Sequence, residues 1–181
     1  LEHLVFMGSS KYPGPESGES DSPSSRTTFR AHLAANSGTS NAVTTAATTT
    51  YFFEVSTAAF PETLDRLADM LRAPTLPAAA LASELAAVDE EFRGAKSGDP
   101  HRWECVKQEA VIAPGHPAAK FAMGNAGTLQ RDDIRDLVKA FHARNYRPER
   151  MSLVVMDRRD LDDLEALVNS CFGNWNVEEG G

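Results

Sequence analysis

The first seven residues, Leu1 to Met7, place an acid beside an imidazole in an apolar run that ends at Gly8. An apolar run that stops at a glycine is typical of the last turns of a buried helix with a C-terminal cap. Burying Glu2 and His3 among leucine, valine and phenylalanine costs free energy unless a partner binds them. A metal ion is one such partner, and a contact with another polar group of the protein is the alternative.

A second group of carboxylates lies in a predicted helix at residues 78–95. Glu84 and Glu91 are seven positions apart, so on a helix they point in nearly the same direction, two turns from each other. Both flank the apolar stripe of this helix, and we expect them near its buried side. We interpret Asp89 and Glu90 as a solvated charged face.

The rest of the chain predicts the elements that position these groups. A segment rich in threonine, valine, tyrosine and phenylalanine suits a pleated surface, and apolar residues at helical spacing recur after it. This order predicts an α+β fold, with helices layered on one face of a mainly antiparallel sheet. The predicted strands are residues 40–45, 49–55 and 151–156, and the predicted helices begin near residues 29, 61, 78, 99, 130 and 160.

The composition limits the class of protein. With 181 residues, 41% of them hydrophobic and 24% charged, the chain has the make-up of one globular domain over residues 1–181. The net charge of −8 argues against a nucleic-acid surface, and no apolar run has the length of a membrane span. Cys105 and Cys171 lack paired spacing, which favours free thiols and a cytoplasmic protein, with mitochondria as the alternative.

Two segments carry no pattern of regular structure. Residues 9–28 are rich in serine, proline, glycine and acids, and we predict a solvated, disordered loop or insertion there. Residues 174–181 are predicted to be an unstructured tail. The chain begins at Leu1 inside an apolar helical pattern, so we expect a fragment of a longer protein.

Several short motifs follow one another in a specific order along nearly the whole chain. Together they resemble the insulinase/pitrilysin family of zinc metallopeptidases, whose signature is the inverted motif H-x-x-E-H with a glutamate far downstream. The motifs are Leu1-Glu2-His3, Phe6-Met7-Gly8, Lys11-Tyr12-Pro13 and parts of residues 39–55, 84–91, 116–125 and 141–155.

The resemblance implies a role for each candidate residue. Glu2 would be the general base, His3 and Glu91 would be ligands of one Zn²⁺, and Glu84 would orient an imidazole. In the motif, two histidines four apart on a helix point the same way and can hold one metal ion. The glutamate between them can take a proton from the attacking water.

The resemblance also implies how substrate binds. Ser40, Asn41 and Ala42 resemble the family's edge strand, which binds a substrate backbone by adding it to the sheet. For Asn41 the alternative is a turn residue at the end of a strand. The implied partners are a peptide substrate and either the missing C-terminal half of the same protein or a homologous subunit, with no nucleic acid and no membrane.

Two departures from the family pattern concern the metal site and the spacing of its ligands. The leading histidine of the motif would lie two positions before Leu1, so the chain supplies two zinc ligands and is expected to be inactive by itself. The interval from His3 to Glu91 exceeds the family's usual one by about the length of residues 18–28, in a loop where extra length costs little.

We therefore expect part of a metalloendopeptidase that hydrolyses peptide bonds in small or unfolded polypeptides. The alternative is a non-catalytic family member that serves as a peptide-binding or assembly subunit.

Overall fold

The computed structural model describes residues 1–14, 27–113, 115–116, 119 and 123–175. This part of the chain combines one two-stranded antiparallel sheet with seven α-helices, which confirms the α+β fold class. The strands are β1 (Thr39–Thr44) and β2 (Thr49–Glu54), and the helices are α1 (Phe29–Ala35), α2 (Phe60–Arg72), α3 (Ala78–Ser97), α4 (Asp99–Val111), α5 (Ala126–Leu129), α6 (Ile134–Asn145) and α7 (Leu161–Phe172).

The two strands form a hairpin whose register runs from Thr39 opposite Glu54 to Thr44 opposite Thr49. Alternate side chains of β2 point to opposite faces. Phe53 packs against the hydrophobic core, whereas Phe52 remains half exposed. The helices therefore cover one face of the sheet.

The core consists of two clusters of buried side chains on either side of α2. Amphipathic helices bury the stripe that recurs every three to four residues, so α2 contributes to both clusters. The first cluster contains Leu4, Val5, Phe6, Phe29, Leu33, Leu67, Met70 and Leu76. The second contains Phe60, Leu64, Ala68, Leu164 and Cys171.

The opening apolar run forms a single 3₁₀ turn, Leu4–Met7, instead of the end of an α-helix. Its first three side chains are nevertheless buried in the first cluster. Gly8 ends the turn at φ +142°, and a Cβ built there would lie 2.4 Å from the carbonyl oxygen of Pro13. Only glycine fits this turn without strain.

The predicted loop at residues 9–28 begins as ordered structure packed on α2. Ser9 is buried, and its N–H donates to the carbonyl of Tyr12 at 2.9 Å. The hydroxyl of Tyr12 donates to the Asp65 carboxylate at 2.5 Å. The first residues of the segment therefore differ from the solvated loop we predicted, because protein groups replace water as their partners. Residues 15–26 lie outside the described residues.

Near the other end of the chain, the predicted strand at residues 151–156 is wrong. The described part of the chain contains no strand there, and Val154 and Met156 are 93% and 91% exposed. Val155 alone of these three packs against the second cluster. A continuous apolar run predicts a strand that is buried on both faces. In this segment only the face with Val155 packs against another described part of the protein. Of the predicted tail, residues 176–181 lie outside the described residues.

Two further observations concern the class of protein. Cys105 and Cys171 are both free thiols, as their spacing predicts. Within the described part of the chain, no helix combines the length and the apolar character needed to cross a bilayer.

Candidate metal centre

The site forms where the N-terminal turn meets the middle of α3. His3 directly precedes the Leu4–Met7 turn, whose buried side chains anchor it to the core. Helix α3 contacts this turn, and its seven-residue interval directs Glu84 and Glu91 towards the same histidine.

Glu84 binds one nitrogen of the His3 ring. Its Oε2 lies 3.0 Å from His3 Nδ1, and its side chain is 18% exposed. An ionised carboxylate can only accept a hydrogen bond, so Nδ1 carries the proton and donates it. The lone pair of the neutral ring is then on Nε2, which is the atom left to bind a ligand.

Glu91 faces that second nitrogen. Its Oε1 lies 3.5 Å from His3 Nε2, and its side chain is 53% exposed. Two donors about 2.1 Å from one tetrahedral Zn²⁺ are about 3.4 Å apart. The spacing of the two atoms, and the nitrogen and oxygen chemistry of the donors, therefore fit a shared zinc ion.

This pair supplies two donors. Among the residues that the structure describes, no group of three histidine, cysteine, aspartate or glutamate side chains is arranged to hold a metal ion. A complete tetrahedral centre needs a further protein ligand besides His3 and Glu91.

Glu2 lies beside this pair but bonds to the sheet. Its Oε2 accepts a hydrogen bond from the hydroxyl of Thr44, the last residue of β1. Glu2, His3, Glu84 and Glu91 all border one cleft of about 300 Å³. An acid, an imidazole and two further carboxylates thus share a single cavity.

The walls of the cleft come from five parts of the chain: the N-terminal turn, the hairpin, α3, the segment 123–129 that ends with α5, and α6 with the residue that follows it. Most of the wall is apolar, as is usual for ligand sites with a few convergent polar groups. The remaining lining residues are Leu1, Leu4, Thr44, Thr49, Leu81, Leu85, Val88, Met123, Gly124, Leu129, Ile134, Val138, Phe141 and Tyr146.

The predicted substrate strand is β1. Ser40, Asn41 and Ala42 pair with β2 on one side, and no other described strand pairs with β1. Asn41 is the third residue of β1, so the alternative of a turn residue at a strand end is wrong. Its side-chain oxygen accepts from the N–H of Ala42 at 2.9 Å, on the edge of β1 that faces away from β2.

One carboxylate of α3 has a role that we did not predict. Asp89 is mostly buried, and its Oδ1 accepts from the N–H of Ala126 at 2.8 Å, which caps α5. Its other oxygen forms an ion pair with Arg93 at 2.6 Å. The interpretation as a solvated face is wrong for Asp89, whereas Glu90 is 79% exposed as predicted.

A pair of tyrosines near the cleft was also missed. The hydroxyls of Tyr51 and Tyr146 lie 2.6 Å apart, although the residues are separated by 95 positions. Burial raises the pKa of both phenols, so both remain protonated at neutral pH. Local sequence patterns carry no signal for a contact at this separation.

Comparisons with known proteins show to which family the chain belongs. The sequence profile described as "Insulinase (Peptidase family M16)" matches residues 1–111. The chain belongs to this family of metallopeptidases. A second insulinase-family profile, described as "Peptidase M16 inactive domain", matches residues 133–180.

Individual relatives of this insulinase-family chain are similar along almost its whole length. Human nardilysin is 36% identical over 178 residues, covering 95% of the chain. A Caenorhabditis elegans protein with "zinc protease" in its name is 34% identical over 176 residues, covering 93%. The crystal structure of pitrilysin superimposes with a TM-score of 0.84 at 31% identity, covering 99% of the chain.

These relatives are much longer than the chain. It spans 14% of nardilysin, 19% of the C. elegans protein and 18% of the pitrilysin chain. The comparison therefore concerns less than a fifth of each of these longer proteins.

Proposed function

We propose that this chain forms part of a zinc-dependent metalloendopeptidase that hydrolyses peptide bonds in small or unfolded polypeptides. One observation carries the proposal: the two ring nitrogens of His3 face two different carboxylates of α3, at 3.0 Å and 3.5 Å. An ordinary histidine–carboxylate contact needs one carboxylate, whereas a metal ligand needs one partner to orient the ring and a free nitrogen for the metal.

Under this proposal His3 Nε2 and Glu91 hold the zinc ion, and Glu84 holds the ring of His3 in place. The remaining protein ligand is the first histidine of H-x-x-E-H, two positions before Leu1 in the protein that carries this chain. When bound, zinc polarises the scissile carbonyl and makes water a better nucleophile near neutral pH. Glu2 accepts the proton of that water and delivers it to the leaving amine.

The substrate is an extended peptide that adds to the edge of β1 at Ser40, Asn41 and Ala42. This binding mode recognises the substrate mainly through its backbone hydrogen bonds. It therefore suits unfolded polypeptides, whose backbone is accessible. Residues 1–181 alone supply two of the ligands and are expected to be inactive. The proposed partner is a C-terminal half of the same protein or a homologous subunit, in a reducing compartment such as the cytoplasm.

The experiment compares neighbouring glutamates of α3 in the longest natural protein that carries this chain. Glu91→Gln should lose zinc and the cleavage of a fluorogenic unfolded peptide, because it removes a charged ligand. Glu90→Gln is the matched control, since this side chain is 79% exposed and lies about 100° from Glu91 around the helix.

Zinc content by atomic absorption and initial cleavage rates are the measurements. Full zinc content and full activity in Glu91→Gln would overturn the proposal. A wild-type protein that binds peptide, but does not bind zinc and does not cleave the peptide, would favour the non-catalytic alternative.

A further inference from the structure

The carboxylate of Glu2 is the end of a hydrogen-bonded chain that runs through the hairpin. Thr44 donates its hydroxyl proton to Glu2. The Thr44 hydroxyl oxygen is also 3.2 Å from that of Thr49. The two threonines face each other as the last pair of the β1–β2 ladder.

The carboxylate determines the direction of these bonds. A threonine hydroxyl has one proton, and the proton of Thr44 is used on Glu2, which can only accept. The oxygen of Thr44 must therefore accept the proton of Thr49. Both hydroxyl dipoles then point towards the negative charge of Glu2, an arrangement in which each bond strengthens the next.

The end of this hydrogen-bonded series that lies farthest from Glu2 is held by the helical layer. The hydroxyl of Tyr146, at the end of α6, lies 2.6 Å from the hydroxyl of Tyr51 on β2. Tyr146 also stacks on the ring of His142, with centroids 4.8 Å apart, and His142 binds the carbonyl of Leu71 at 2.8 Å. Tyr51 lies on the same face of β2 as Thr49, so the helical layer holds the hairpin directly beside Thr49.

We propose that Thr44 is a positioning residue for Glu2, oriented in turn by Thr49, and that β1 thereby fixes the general base relative to the bound substrate. This inference rests on the proposed function. The same strand would bind the substrate backbone at residues 40–42 and would hold the general base, Glu2, through Thr44, two residues further along the strand. A movement of β1 would carry both together, so the distance between the base and the scissile bond would be preserved.

Stability alone does not explain this arrangement. Thr44 is exposed, and a hydrogen bond at an exposed site contributes only about 1 kcal/mol or less to folding. Misplacement of a reacting group by about 1 Å can cost about a hundredfold in rate. Loss of the Thr44 hydroxyl is therefore expected to alter catalysis much more than folding.

The test replaces the hydroxyl and keeps the shape. Thr44→Val should lower kcat by about tenfold to a hundredfold, with an unchanged KM and a full complement of zinc. Thr44→Ser retains the hydroxyl and should restore kcat to within about twofold. Thr50→Val is the matched control, since Thr50 lies on β2 beside Thr49 but on the opposite face, and it should behave as wild type.

A crystal structure of Thr44→Val supplies a readout that does not depend on activity. The Glu2 side chain is expected to leave the position that it has in the wild-type protein, with β1 and His3 unmoved. An unmoved Glu2, or a kcat within twofold of wild type, would overturn the inference. A wild-type protein without zinc or cleavage would refute the proposed function instead, and the position of Glu2 in the variant would still decide whether Thr44 holds it.

Discussion

His3 Nδ1 and Glu84 Oε2 lie 3.0 Å apart although the two residues are separated by 81 positions. This contact leaves Nε2 as the only ring atom able to bind a metal, and Nε2 faces Glu91. The orientation of one imidazole therefore decides whether the two carboxylates of α3 form a metal site or only a charged surface.

Removing Glu84 should loosen zinc without removing a ligand. Glu84→Ala is expected to weaken zinc affinity by about tenfold to a hundredfold, since the His3 ring loses its orienting partner. Glu84→Gln should weaken zinc affinity less than Glu84→Ala, because the amide oxygen of glutamine still accepts a hydrogen bond from His3 Nδ1. Competition with a coloured chelator gives the affinities. Wild-type affinity in the alanine variant would show that Glu84 does not orient His3.

Glu2→Gln should abolish peptide cleavage and leave zinc bound. The amide keeps the shape of the side chain and can still accept from Thr44, but it cannot take up a proton at neutral pH. Initial rates and zinc content are measured on the same preparation. Undiminished cleavage would remove Glu2 from its assigned role.

The turn after the N-terminal segment should tolerate only glycine. Gly8→Ala is expected to lower the free energy of unfolding by about 1–3 kcal/mol, because φ is +142° and the new Cβ would meet Pro13. Gly94→Ala is the control, since Gly94 lies inside α3 with open space around it. That change should raise the free energy of unfolding by about 0.5–1 kcal/mol. Urea denaturation distinguishes the two, and equal effects would contradict the strain assigned to Gly8.

Stability should fall as the pH drops below about 6.5. Burial and the neighbouring Arg66 lower the pKa of His32, and the nearby Glu62 only partly opposes them. Below 6.5 the unfolded chain therefore takes up a proton before the folded one does, and the free energy of unfolding decreases until the lowered folded-state pKa is passed.

The measurement is thermal or urea unfolding at pH 7.5 and 5.5. His32→Gln should reduce the difference between the two values, whereas His101→Gln, on the exposed surface of α4, should leave it unchanged. An identical difference in wild type and His32→Gln would refute the assignment to His32.

Much of the fold could be predicted because its signals are local. The strands at Thr39–Thr44 and Thr49–Glu54 lie within one residue of the prediction, and Asp160 caps α7 as expected. The failures concern packing between layers. The apolar run at residues 151–156 predicts a strand, but no strand pairs with it in the described part of the chain.

The same distinction applies to the site. The seven-residue interval of Glu84 and Glu91 predicts that both point in one direction, and the motif order predicts the insulinase family. Asp89 is also a carboxylate on the same helix, yet it caps α5 through Ala126. A helical pattern shows which residues share a face but not which element covers that face.

By itself, the sequence determined the local elements, because helix period, strand alternation and capping act within about twenty residues. The order of its motifs indicated the family and the residue types of the site. Only the tertiary structure decided that His3 lies between Glu84 and Glu91, that the Thr44 hydroxyl donates to Glu2 and that the hydroxyls of Tyr51 and Tyr146 meet. These contacts join residues that are 42 to 95 positions apart. They depend on how the helices and the hairpin pack around a shared core, and no periodicity in the chain encodes that arrangement.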